Sequence, residues 1–170
     1  MSETVGLIRA ASGEHHAEIR NLFFEYAQLI QKIATEEYGL DFTIDDTLNG
    51  FMSGMSVFHP PSGSLLLAKY KDEFAGIGCL KRLNDETGEI KRMFVSPRYR
   101  RKGLGKVMLD GLVNDARSIG YSKIRLDSPD VFKAAHRLYE SMGFRYIEAY
   151  EGSEAAESIP DRAVYMELEI

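Results

Sequence analysis

The clearest chemical signal in the 170-residue chain is a run of cations that ends on two glycines. Lys91, Arg92, Arg98, Arg100, Arg101, Lys102 and Lys106 fall in one window that contains no acid, and Gly103 and Gly105 interrupt its end. Met93-Phe94-Val95-Ser96-Pro97 reads as the close of a strand, and apolar residues after Gly105 recur at helical spacing. The first N–H groups of a helix have no intrahelical acceptor, and the helix dipole makes that end positive. Glycines there let a ligand approach the backbone closely, and flanking cations neutralise phosphate. The chemistry on offer is anion binding. A solvated basic loop would share the charge, but a glycine pair at a strand-to-helix switch favours a phosphate site.

Spacing narrows the choice of phosphate ligand. A nucleoside-triphosphate loop requires Ser or Thr after its lysine, whereas Val107 follows Lys106. A dinucleotide-binding turn requires a third small residue where Met108 stands. What remains, Arg100-x-x-Gly103-x-Gly105, resembles the acetyl-coenzyme A pyrophosphate loop of the GCN5-related N-acetyltransferase (GNAT) superfamily. A second segment, from Ala135 through Leu138-Tyr139 to Gly143-Phe144, looks like that family's late helix, A-x-x-L-Y-x-x-x-G-F. The two motifs lie about 35 residues apart in the family's order, and the resemblance spans roughly Glu73 to Ile170.

The resemblance implies direct transfer of an acetyl group from acetyl-CoA to a primary amine of a small molecule or protein, without a metal. It implies a sheet splayed between its fourth and fifth strands, with the pantetheine arm held by the backbone of Met93, Phe94 and Val95. The pyrophosphate would rest on N–H groups of Arg101, Lys102, Gly103, Leu104, Gly105 and Lys106, with Arg100 and Arg101 adding charge. Tyr139 matches the family tyrosine that protonates the departing thiolate. Glu89, six residues before Val95, matches the glutamate that histone-acetylating members carry on this strand, and is the candidate base. Phe132 stands where many relatives have a cofactor-contacting asparagine, so Asp127, Ser128 or a backbone group is expected to substitute. Homodimers are common in the family, and a homodimer is an expectation on that ground alone.

These residues need elements to hold them. Val5–Ala11 alternates weakly as a first strand, and apolar residues recur at helical spacing from about Glu14 to Glu37, where Tyr38-Gly39 breaks the pattern. Asp45-Asp46 is expected to cap a shorter helix. Strands follow over 64–70, 74–83 and 87–95, then a helix to Ile119 ended by Gly120, and a strand over 121–127. Ser128-Pro129 reads as the cap and first residue of a helix running to Met142. Two strands near 144–150 and 162–169 close the chain, joined by an acidic loop from Glu151 to Pro160. The fold class is α+β, in three α/β/α layers: one domain over 1–170 with a mixed, mostly antiparallel sheet of about seven strands and helices on both faces.

The remaining counts exclude whole classes. The content of 44% hydrophobic and 28% charged residues is that of a globular domain with a real core. The net charge of −5 argues against a dedicated nucleic-acid binder, and with +7 in the basic window the rest of the chain carries −12. Cys79 is the single cysteine, so no intrachain disulfide or thiolate cluster is expected, and its apolar strand suggests a core position. No apolar run of about 18 residues or more is present, nor an N-terminal leader pattern, and the expectation is a soluble cytoplasmic protein. His15 and His16 read as exposed, and His136 as lying on the helix surface. Tyr26, Tyr38, Phe42 and Phe51 sit at the stage of the chain where the family builds its acceptor pocket, with core packing the plainer use of each. An acyl-CoA sensor without turnover is the alternative function.

Overall fold

The computed structural model describes residues 4–170. Its order is β1 (Val5–Arg9), α1 (His16–Tyr38), α2 (Ile44–Ser53), β2 (Ser64–Tyr70), β3 (Glu73–Arg82), β4 (Thr87–Val95), α3 (Leu104–Ile119), β5 (Lys123–Pro129), α4 (Lys133–Ser141), β6 (Arg145–Ile147), α5 (Glu154–Ser158) and β7 (Ala163–Glu169). The seven strands form one sheet in the order β1-β2-β3-β4-β5-β7-β6, antiparallel except between β4 and β5.

Both faces of the sheet are covered, which explains the uninterrupted Leu65-Leu66-Leu67 of β2. The pleat sends Leu65 and Leu67 into a core with Ile19, Leu22 and Phe23 of α1 and with Phe51. Leu66 points the opposite way, among Leu109 and Leu112 of α3, Tyr139 of α4 and Met166 of β7. Cys79 is fully buried in the first of these cores, and burial pushes its thiol up to about 12. Among the described residues no helix is long and apolar enough to cross a membrane, and no group of three or more His, Cys, Asp and Glu is placed to hold a metal ion.

Four local expectations are corrected. Thr43, not Asp45-Asp46, caps α2: its Oγ1 accepts from the Asp46 N–H at 3.1 Å and donates to the Asp46 carboxylate at 2.6 Å, and both aspartates lie in the first turn. Ser128-Pro129 does not open a helix. Both residues stay in β5, opposite Val164 and Ala163, and α4 starts four residues beyond Pro129. The stretch 151–160 is not simply a loop, because Ser153 caps the short helix α5 by accepting from the Ala156 N–H at 3.1 Å. His136 is buried, its Nε2 2.9 Å from the Ser128 hydroxyl, and burial, with Lys133 nearby, lowers its pKa.

Candidate active site

The parallel pairing of β4 with β5 holds for three residues, from Thr87 opposite Lys123 to Glu89 opposite Arg125, and then ends. From Ile90 onward β4 pairs only with β3, while β5 continues only with β7. The strands diverge, and a cleft of about 1150 Å³ opens between them. Its walls are the edge of β4 from Ile90 to Val95, β5 from Leu126 to Pro129, the inner face of α1, and the starts of α3 and α4. A strand edge of unpaired N–H and C=O groups is a template for any extended chain that carries amides. Met93, Phe94 and Val95 all line it.

At the outer end β4 runs into a turn at Pro97–Tyr99 and then the glycine loop. Arg101 and Gly103 have φ of 60° and 80°, and a Cβ built on Gly103 meets nothing within 4 Å, so open space lies over the loop. Val107 N–H, bonded to Gly103 O at 3.1 Å, is the first donor satisfied within the helix, which leaves those of Leu104, Gly105 and Lys106 ahead of the first turn. Gly105 also packs closely on α4, where a Cβ would come within 3.2 Å of the Leu138 side chain. Arg100 ties the loop back through Nε to the Val95 carbonyl at 3.2 Å. The N–H groups, the glycines and the Arg100 and Arg101 charges fit a diphosphate at the end of an extended arm.

The cation run separates in three dimensions. Lys106 pairs with Asp110 on its own helix at 2.9 Å, and Arg98 lies 3.5 Å from Glu73. Lys91 and Arg92 leave the cradle altogether. Between the pairs Cys79–Lys91 and Ile77–Phe94, β4 carries one extra residue, and Arg92 adopts a left-handed φ of 56° there. Such a bulge re-aims side chains, and here both cations reach Glu154 of α5. Lys91 Nζ lies 2.8 Å from Asp127 Oδ1, 3.5 Å from Glu154 and 3.6 Å from Glu89. Asp127 Oδ2 in turn accepts from the Ser153 hydroxyl at 2.7 Å and the Ala155 N–H at 3.1 Å, which anchors α5 at the cleft. Burial alone would raise the Asp127 and Glu154 carboxyls. The Lys91 ammonium prevails at Asp127, and the Arg92 and Lys91 charges at Glu154, so both titrate below the ordinary carboxylate range. Burial would likewise lower Lys91, but Asp127, Glu89 and Glu154 hold it above its usual value.

Tyr139 projects from α4 into the cleft wall, 7% exposed, its ring 5.7 Å from that of Phe144. No hydrogen bond of its hydroxyl is found among the described residues. Burial first, and the facing Tyr26 phenol second, push its pKa well above the ordinary tyrosine value, so it stays protonated. Glu89 is placed differently from Tyr139. It is fully buried, accepts from the Tyr150 hydroxyl at 2.9 Å, lies 3.3 Å from Lys81, and is absent from the cleft wall. The parallel pairing with β5 still closes the sheet at Glu89, one residue before the cleft opens, so from this position a base would reach the amine only through an intervening group such as a water. Phe132, at the asparagine position, lines the cleft as the residue before α4.

Sequence reasoning did not single out Arg92, Lys91 or Glu154 as residues of the cleft. A lone buried-strand lysine beside an arginine carried no local signal, and their partners lie 36 and 62 residues away. Tyr26, Tyr38 and Phe42 do line the cleft, whereas Phe51 is core, stacked on Phe23 at 3.8 Å between ring centroids. Tyr38 donates to Asp130 at 2.9 Å, and burial together with that carboxylate pushes its phenol up to about 12.

The acetyltransferase (GNAT) family model matches residues 16–144. An uncharacterized N-acetyltransferase of Schizosaccharomyces pombe is 30% identical over 158 residues, covering 86% of this chain and 87% of the relative. An uncharacterized N-acetyltransferase of Bacillus subtilis is 36% identical over 99 residues, 57% of this chain and 66% of its own. Zebrafish N-acetylaspartate synthetase is 33% identical over 107 residues, 61% of this chain but 38% of the relative. Among solved structures, a GNAT-family acetyltransferase of Staphylococcus aureus superposes with a TM-score of 0.70 at 22% identity, over 98% of this chain and 99% of that one. One from Elizabethkingia anophelis, with acetyl-CoA bound, gives 0.64 at 17% identity over 98% of each chain. These two likenesses concern the fold.

Proposed function

The chain belongs to the acetyltransferase (GNAT) family, and on that premise we infer that it moves the acetyl group of acetyl-CoA directly to a primary amine within one ternary complex. The observation that carries this reading is the divergence of β4 and β5 after Glu89, which joins a free strand edge to a glycine-built anion cradle in one cleft. When bound, acetyl-CoA supplies the activated thioester. The β4 edge from Met93 to Val95 aligns its arm, and the loop from Arg100 to Lys106 holds the diphosphate.

The amine nitrogen forms a bond to the acetyl carbon, the carbon–sulfur bond breaks, and the proton lost by nitrogen ends on sulfur. Tyr139 acts at the sulfur. A free thiol titrates near 8.5, below a phenol raised by burial, so Tyr139 stabilises the departing thiolate as a hydrogen-bond donor and passes on a proton only as the nitrogen returns one. The carboxylates on the cleft wall, Asp127 and Glu154, are poor bases because cations hold their pKa low. The acceptor therefore binds as the neutral amine. Glu89, behind the wall, keeps Lys91 and Tyr150 in position rather than touching the amine.

The test is a CoA-release assay over small amines, amino acids and peptide N-termini. Release with at least one class, competed by free CoA, is the expected result. Acetyl-CoA binding without release for any amine would replace this reading with that of an acyl-CoA sensor.

A further inference from the structure

The acceptor end of the cleft contains one cation whose capacity is only partly used. Arg92 sits at the β4 bulge in a left-handed conformation, which is strained for a non-glycine residue. Its guanidinium lines the cleft, 28% exposed. Nη1 and Nη2 meet the Glu154 carboxylate end-on at 2.9 and 3.2 Å, while Nε is buried with no hydrogen-bond partner. Lys91 beside it donates to Asp127 at 2.8 Å and has Glu89 and Glu154 within 3.6 Å, three carboxylates to one ammonium. Glu154 comes from a five-residue helix at the cleft wall, and its side chain is 48% exposed. A strained backbone thus presents a planar fork of donors toward the space where the amine must stand, and a half-exposed carboxylate on a short helix occupies part of that fork. Guanidinium forks match carboxylates in pairs of parallel hydrogen bonds. Recognition of an ammonium by Glu154 is the weaker reading, because two cations already share that carboxylate and the amine must be neutral to attack.

We propose that the acceptor is an amine that also carries a carboxylate, read by Arg92, and that Glu154 is the resident carboxylate which the acceptor's own replaces. This rests on the acetyl-transfer reading above and goes on to name the acceptor class. Arg92 is then a specificity-determining residue, and α5 shifts when the acceptor binds.

The test compares amino acids with their own carboxamides, for instance aspartate, leucine and phenylalanine against the corresponding amides, as acceptors for the full chain with acetyl-CoA. The expected result is a kcat/KM for the best acid about tenfold to a hundredfold above that of its amide. In Arg92→Gln that preference disappears through the acid alone. In Glu154→Gln the KM for the acid falls severalfold and that for the amide is unchanged. Amides that serve as well as acids in the unaltered protein overturn the proposal while acetyl transfer stands. Failure of every acceptor, acid or amide, to release CoA overturns the transfer reading itself, and this proposal with it. Should Arg92→Gln fail to fold, Glu154→Gln decides: a KM for the acid that rises assigns Glu154 to the amine and refutes the role given to Arg92.

Discussion

Replacing Tyr139 by phenylalanine removes one hydroxyl and nothing else that the fold uses. The ring keeps its contact with Phe144, and no protein hydrogen bond of the hydroxyl among the described residues is lost. No loss of stability is therefore expected, because removing a buried hydroxyl without a protein partner forfeits no hydrogen bond. Turnover is another matter. A hydrogen bond to a charged group contributes about 1.5–3 kcal/mol, and at 1.36 kcal/mol per decade the loss of the donor to the thiolate lowers kcat roughly 10- to 150-fold. The KM for acetyl-CoA should hold, because the β4 edge and the glycine loop are untouched. Burial, with Tyr26 opposite, raises the phenol's pKa, so the acid form persists to higher pH than in a free tyrosine. The unaltered enzyme should accordingly show no alkaline decline from this group below about pH 10. CoA release measured against pH with saturating acceptor reads both quantities. A variant that keeps more than half of kcat refutes the assignment, and an alkaline limb near 10 that vanishes in the variant refutes the argument from burial.

Glu89→Gln removes the partner of Lys81 and Lys91 in a fully buried position, where breaking such a pair costs about 3–5 kcal/mol. The melting temperature should drop by roughly 6–20 °C with the pH–rate profile unmoved; an acid limb that disappears would restore Glu89 as the base. Asp127 and Glu154 have folded pKa values below their unfolded ones, so they add stability that is present above the ordinary carboxylate range and is lost as pH falls through the depressed values. Thermal unfolding should then show stability decreasing below about pH 4, and Asp127→Asn should both lower the midpoint at pH 7 and flatten that acid slope. Gly103→Ala places a Cβ at φ 80°, a strain of about 1 kcal/mol or slightly more. Its main effect should be a higher KM for acetyl-CoA with kcat at saturation retained, and an unchanged KM would argue against the loop as the diphosphate cradle.

Where the sequence reading and the structure agree, short-range chemistry is the reason. The bounds of β2 follow from an apolar run between turn residues, those of β4 from the turn residues Asn84-Asp85 and Ser96-Pro97 on either side, and the loop from two glycines at a helix start. Where they part, a distant partner prevails. Ser128-Pro129 looked like a helix start because serine caps and proline opens helices, but seven residues of pairing with β7 keep both in the strand. The helix α5 went unread because it is five residues long, held by Asp127 from another strand as much as by its own serine cap. Helix position alone puts His136 on the helix surface beside Tyr139, while Ser128 on β5 gives its ring a buried partner.

The charge window shows the division most plainly. Taken along the chain, Lys91 to Lys106 is one island of seven cations, and the glycine loop at a helix start near its end could be read from glycine spacing, helix polarity and charge. The late-helix motif likewise picked out Tyr139, which lines the cleft. Those features depend on neighbours within a turn or two, which is the range over which backbone conformation responds to residue type. Only the tertiary structure decided that the island is two sites. One extra residue in β4 sends Lys91 and Arg92 toward β5 and α5, to carboxylates 36 and 62 residues away. It likewise decided that Glu89 lies behind the cleft wall and not in it, because the divergence of β4 and β5 begins one residue later. Where two strands part depends on which helices and strands fill the space beside them, and no local pattern carries that information.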